Sequence, residues 1–283
     1  MRVRRRATRA ALAGAMVTLG AASSLGAQDW QLLEARRAAR DSAPLHVRLA
    51  YGVGTLRVGP AAADVLYDVR LRYDASRIDP QVEWRAASRT LRIQTRLERM
   101  RLPGGDGADL TVGLSRHAPL DLDVQVGAVE ADLDFTGLRV RSLDFASGAS
   151  DATVRFDTAG TTPLERLSVQ VGAGTLRVEG LGHSQVRRID ASGGVGELVL
   201  DFAGAWTGDV DADLSLAIGK ATLVVPADVG VRIEASARWL NRLDLPGFEA
   251  DGDARVSPGF AQARRRLRVD LSSVLGTVRV ERR

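Results

Sequence analysis

From residue 46 onward, apolar and polar positions alternate in short bursts, and the bursts recur. Each burst reads apolar-x-apolar, then a loop of small residues, then apolar-x-apolar again. Copies stand at 49–58, 124–133, 169–178, 191–200, 214–223 and 271–280, with a degenerate copy at 145–154. The last loop residue of each copy serves as a marker: Gly54, Val129, Ser150, Gly174, Gly196, Gly219 and Gly276. From Val129 to Gly219 the steps are 21, 24, 22 and 23 residues, the near-constant period of a stacked array. Two and four residues past the markers stand Leu56/Val58, Ala131/Leu133, Ala152/Val154, Leu176/Val178, Leu198/Leu200, Ala221/Leu223 and Val278/Val280. Seven residues before them stand Val47, Leu122, Leu143, Leu167, Ile189, Ala212 and Val269, all apolar. A period of two places successive side chains on opposite faces of a strand, so these segments predict half-buried strands.

One such coil cannot bury its apolar edge alone; stacked neighbours complete a core of apolar columns. The pattern therefore predicts an all-β, β-helix-like stacked solenoid with coils of about 21–24 residues. Arg57, Asp132, Asp134, Arg155, Arg177 and Arg279 fall on the outward phase. The sharp corner inside each copy explains a set of structural loop glycines: Gly52, Gly54, Gly127, Gly148, Gly172, Gly174, Gly194, Gly196, Gly219 and Gly276. Outside the copies, 29–41 is expected as a short helix or a flexible leader, and 65–73, 82–86, 90–95 and 231–240 as strands. The turn cluster 103–107 divides an N-terminal β unit (46–102) from the main solenoid (109–283), after a leader or linker over 28–45. The Pro/Gly/acid-rich stretch 244–259 reads as a loop leaving the stack.

The N-terminus changes the charge picture. Arg2, Arg4, Arg5, Arg6 and Arg9 precede an uncharged small and apolar run over 10–27, the layout of an export signal at 1–27. Leu25 fits poorly at the minus-three position, which leaves the exact bond open, and an uncleaved anchor is the alternative. Arg4-Arg5-Arg6 admits a twin-arginine route, although Ala7-Thr8 lacks its usual large apolar residue. Removing five arginines from a net charge of +4 leaves −1 for the mature chain, so basicity gives no case for nucleic-acid binding. The 283 residues contain no cysteine, which excludes disulfides, a thiol nucleophile, Cys-ligated metal and a lipoprotein anchor. The expectation is an exported protein of the periplasm, cell envelope or extracellular space, without a membrane span in its mature part.

The motifs, in order, resemble a known family. They are Tyr-Gly-Val-Gly-Thr-Leu-Arg-Val at 51–58, Leu-Asp-Leu-Asp-Val-Gln-Val-Gly-Ala at 120–128, Val-Gly-Ala-Gly-Thr-Leu at 171–176, Gly-Gly-Val-Gly-Glu-Leu-Val-Leu-Asp-Phe at 193–202 and Leu-Gly-Thr-Val-Arg-Val at 275–280. Together they resemble the bacterial toast-rack domain family, including its N-terminal unit, over most of 46–283. The resemblance implies a β-solenoid related to LiaF-like envelope-stress proteins and to predicted adhesins, with no catalytic residues to carry over. Ala128-Val129 and Ala149-Ser150 depart from the Gly-x-Gly loop, so those corners are expected to be reshaped.

The residues offer little chemistry. Asp132 with Asp134, Asp151, Glu197 and Asp201 are the acid candidates for polysaccharide cleavage on a β-helix; a solvated face explains them equally, since arginines stand at equivalent positions. Gly193 to Glu197 approaches a calcium-roll motif, but Leu198 stands where an aspartate belongs. His46, His117 and His183 lack metal-ligand spacing, and Arg264-Arg265-Arg266 reads as a solvated turn. Trp84, Trp206 and Trp239 fall in separate segments, so packing is expected rather than a sugar platform. The reading is a non-enzymatic envelope interaction or scaffold module, with no catalytic, cofactor or metal site, whose partner is an unknown envelope protein or glycan. A carbohydrate-active enzyme and a surface adhesin are the alternatives. A monomer is expected, with the closing strand 276–280 as the likeliest contact edge, guarded by the charges of Arg279, Glu281, Arg282 and Arg283 or by the 244–259 loop if it folds back over it.

Overall fold

The computed structural model describes residues 29–97, 107–235 and 242–283. The expected signal at 1–27, turn residues 103–106 and Trp239 lie outside them. In chain order the strands are β1 (Trp30–Ala38), β2 (Leu45–Pro60), β3 (Val65–Asp74), β4 (Ile78–Arg85), β5 (Thr90–Leu97), β6 (Ala108–Leu114), β7 (Pro119–Asp134), β8 (Arg139–Arg155) and β9 (Arg166–Glu179). A one-turn helix (Leu181–Ser184) follows, then β10 (Arg188–Asp201), β11 (Val210–Val225), β12 (Gly230–Ala235), β13 (Arg242–Asp244), β14 (Glu249–Asp251), β15 (Ala254–Val256) and β16 (Arg266–Arg282). They join one sheet whose central run is β2-β7-β8-β9-β10-β11-β16, all parallel.

The seven markers meet in register: Gly54 opposite Val129, then Ser150, Gly174, Gly196, Gly219 and Gly276. The columns expected to be apolar therefore stack. Leu122, Leu143, Leu167, Ile189, Ala212 and Val269 are buried in one column, and Leu133, Val154, Val178, Leu200, Leu223 and Val280 in another. Each long strand bends at its small-residue loop, so the columns before and after the bend line two walls of one core. The returns close the third side with Phe156, Leu164, Leu181, Val186, Phe202 and Trp206. Phe135 and Phe156 meet at 5.7 Å, and the Trp206 indole N–H donates to the Phe202 carbonyl at 2.8 Å.

Three segments differ from the sequence expectation. The helix or leader expected within 29–41 is strand β1, paired antiparallel with β3. Leu33 and Ala35 pack against the core, Arg72 lies over the Trp30 ring at 4.0 Å, and Arg37 lies over Trp84 at 4.9 Å. Ala108–Leu114, assigned from sequence to the solenoid, pairs with β2 and β3, and the Tyr51 hydroxyl donates to the Ala108 carbonyl. The sheet passes without a break from β2 to β7.

The third difference is a correction at the C-terminus. The closing strand β16 is not an open edge. β11 flanks one side, while β12 pairs with its first half and β13 with residues 277–279. The cover comes from strands just before and at the start of the 244–259 stretch, which pair with β16 directly and do not merely fold over it. Within 244–259, β14 and β15 form a small antiparallel pair that continues the sheet from β12. No helix among the described residues is long and apolar enough to cross a membrane.

Candidate functional site

The corner of each coil is where the sequence repeats most closely. Its backbone packs against the corner before it so tightly that side chains are excluded. A Cβ on Gly196 would lie 1.9 Å from the Gly174 carbonyl oxygen, and one on Gly219 2.1 Å from that of Gly196. Both glycines also take φ values near the edge of the left-handed half, +148° and +153°. At Val129 and Ser150 the marker instead points inward and is buried. Neither is among the positive-φ residues, so these two corners turn differently, as their departure from Gly-x-Gly implied.

At both kinds of corner the residue before the marker lies on the outer side. Val53, Ala128, Ala149, Ala173, Val195, Ile218 and Leu275 pair successively across the stack at that position. All are aliphatic. Val195, Ile218 and Leu275 expose 56%, 52% and 52% of their surface, and with Leu32 they are the exposed large hydrophobics among the described residues. The result is an apolar ridge along the outer corner, low at Ala149 and Ala173 and high at Ile218 and Leu275. Beside its low end runs a groove of about 510 Å³, floored by Gly148, Gly172 and Gly194 and edged by Gln125, Gln170 and Ser192.

A second feature lies on the outer face before the corner. Asp190, Asp213, Asp270 and Glu234 are in register on neighbouring strands and line a cleft of about 630 Å³, with Ser192, Ser215 and Ser272 one step away. Like charges directly opposite one another on a sheet are unfavourable. Partial burial, then the carboxylates of Glu234, Asp213 and Asp211, hold the Asp270 carboxyl above its ordinary range. Arg166 reaches Asp190 at 3.1 Å from one side.

The acids singled out from sequence stand on the face after the corner, and each has a partner. Arg155 donates to Asp132 at 2.5 Å, and this hydrogen bond raises the guanidinium's affinity for its proton. Asp134 accepts the Thr136 N–H at 2.9 Å, Asp151 the Thr175 N–H at 3.2 Å, and Asp201 the Ala203 N–H at 2.8 Å. Glu197 accepts from Lys220 at 3.1 Å. His46 faces Asp121 at 3.1 Å, the His117 carbonyl accepts from Arg139, and the His183 N–H donates to Gly180. No three His, Asp or Glu groups among the described residues converge as metal ligands. Trp84 packs tilted on Tyr67, Trp206 lies in the core, and Arg266 stacks over Phe260. The ridge escaped the sequence reading, though its signal is there: the residue before every marker is aliphatic on a phase that alternation assigns to neither face.

Residues 29–165 match the family described as the N-terminal domain of toast_rack, DUF2154. A search of curated proteins found no match. Among solved structures, the chain is similar to a putative cell adhesion protein from Clostridium sporogenes ATCC 15579, with 14% identity, 89% of this chain and 100% of that one covered, and a TM-score of 0.45. It is also similar to a putative adhesin (BF0245) from Bacteroides fragilis NCTC 9343, at 9% identity, 88% and 97% coverage and a TM-score of 0.40. Superpositions this loose carry no functional argument.

Proposed function

We propose, from the match of residues 29–165 to the toast-rack N-terminal domain family, that this chain is a non-enzymatic, exported interaction module of the cell envelope. It acts as a scaffold, as an adhesin-type contact or as a partner in the envelope-stress response. The observation that carries this reading is the ridge. Scattered exposed aliphatic residues are ordinary on a protein surface, but an in-register column of them is a contiguous apolar patch, and such patches mark interaction sites. Val195, Ile218 and Leu275 are successive neighbours on adjacent strands, not a scatter. The arginine-headed apolar segment at 1–27 supports export.

The partnered state of Asp132, Asp134, Asp151, Glu197 and Asp201 supports the non-enzymatic part. A hydrolytic acid pair needs two carboxyls converging on one bond, and each of these five is instead engaged by its own neighbour. Photo-crosslinking in intact envelopes tests the reading. Capture of a partner is expected to fall at least tenfold with Ile218→Asp and to persist with Arg177→Ala on the other face. Equal capture by both variants would remove the ridge from the interaction. Turnover of an envelope glycan that disappears in Asp134→Asn would establish an enzyme instead.

A further inference from the structure

We infer that the ridge is a self-association surface on which two copies of this chain pack antiparallel, about a two-fold axis at Val195. The inference rests on the interaction reading above and names its partner. The ridge rises along the stack in a definite order: Ala149, Ala173, Val195, Ile218, Leu275. A two-fold axis lying in the contact plane and crossing the stack at β10 reverses the coil order of the second copy while keeping corner against corner. Val195 then meets Val195, Ile218 meets Ala173, and Leu275 meets Ala149. The two largest residues, Ile218 and Leu275, each face an alanine, and Val195 meets its own copy at the axis, so the summed height stays nearly constant along the contact. A parallel pair would set Leu275 against Leu275 and leave a gap between the alanines. Such self-complementarity is what an isologous interface requires.

The surroundings agree with a second copy better than with other partners. The low end of the ridge is flanked by the glycine-floored groove at Gly148 and Gly172, which leaves room for the larger side chains of the opposite copy. Glu197, beside the axis, is already closed on Lys220 at 3.1 Å, so the approach brings together ion pairs and not bare carboxylates. The ridge has no aromatic ring on which a sugar stacks. Glu130 and Asp151, one step past the markers at the low end, oppose an anionic lipid surface.

Three large side chains about half exposed, with the alanines and glycine backbone around them, amount to an interface on the order of 1,000 Å² in total, the lower bound for a specific contact. The dimer is accordingly weak and reversible, and it forms when copies are concentrated, as on an envelope surface.

The absence of cysteine gives a clean test. In purified full-length protein, Val195→Cys places two thiols at the axis. Ala128→Cys, also exposed on the same ridge, places them about six strand spacings apart along the stack, on the order of 29 Å. Under mild oxidation the Val195→Cys protein is expected to form disulfide dimer at least tenfold faster than the Ala128→Cys protein. Adding Ile218→Asp should abolish the difference, with circular dichroism reporting that both proteins remain folded. An equimolar mixture of Ile218→Cys and Ala173→Cys proteins is expected to yield the mixed dimer preferentially. Equal rates for Val195→Cys and Ala128→Cys, or a difference that survives Ile218→Asp, overturns the inference. If that happens while envelope capture still depends on Ile218, the ridge serves a different partner and the interaction reading stands.

Discussion

At the scale of single residues, the corner glycines and the residues before them have opposite fates. The marker glycine is pressed against the preceding carbonyl, so nothing larger fits; its neighbour is thrown out to solvent, so anything fits, and the sequence nevertheless places aliphatic residues there. The first half of that contrast predicts a stability difference. Gly196→Ala puts a methyl 1.9 Å from a backbone oxygen at a φ of +148°, whereas a Cβ on Gly208 meets nothing within 4 Å and carries no positive φ. Thermal or urea denaturation is expected to show Gly196→Ala destabilised by more than ~1 kcal/mol, with Gly208→Ala unchanged or slightly stabilised. Comparable, small effects at both sites would mean that the corner backbone relaxes freely. The glycines were legible from sequence because they recur; which of them cannot carry a Cβ was not, because that depends on the carbonyl of the coil before.

At the scale of elements, strict parallel register turns single outward residues into ladders. A ladder of like residues is neutral when they are serines and costly when they are acids. Asp190, Asp213, Asp270 and Glu234 form the costly kind, and Asp270 bears partial burial first and then the charge of three neighbouring carboxylates. A carboxyl whose folded-state pKa lies above its unfolded value binds more protons when folded. Its ionised form therefore destabilises the fold above that pKa, and the penalty is relieved as pH falls through it. Asp270→Asn is expected to raise the melting temperature at neutral pH, by an amount on the order of 0.5 kcal/mol, typical of a cross-strand pair. The gain should vanish once the carboxylates are protonated at low pH; a gain that is the same at both pH values would point to something other than charge. Asp190 and Asp213 are visible in the sequence one coil apart, and Asp270 at the same phase of the last copy. Their meeting, and the joining of Glu234 to them, requires β12 to pair with β16, and no periodicity announces that pairing.

At the scale of the whole molecule, the stack behaves as a one-dimensional array in which each coil contacts its neighbours. Equivalent positions are interchangeable in backbone terms, which gives a direct test. Deleting residues 174–195 joins Ala173 to Gly196, the residue paired with Gly174 in the intact protein. The shortened chain keeps the β8–β9 pairing before the corner and takes the β10 backbone after it. It is expected to remain folded, with a β-type circular dichroism spectrum and a cooperative transition at lower temperature than the parent. Collapse to an unfolded or aggregated chain would show that the return loops, and not the coil repeat, organise the stack. The ends are not interchangeable. The N-terminal end is closed by β1, β3 and β6 on one wall and by β4 and β5 on the other, and the C-terminal end by β12 to β15.

The sequence by itself determined the β-solenoid and its register, because a period of two within a period near 22 allows only one way of putting all the apolar columns inside. It also determined the sites of the corners, since the glycines mark them. The tertiary structure alone decided three things. It made the charged segment Trp30–Ala38 a strand, because the open edge of β3 and the Arg72–Trp30 and Arg37–Trp84 stacks outweigh local preference. It covered β16 with a segment that precedes it by some thirty residues. And it turned the aliphatic residue before the markers into a ridge, because the inward phase shifts by one residue at the corner, whether or not glycine stands there. Alternation is a local signal and carries no record of such a shift; only the packing of one corner on the next does.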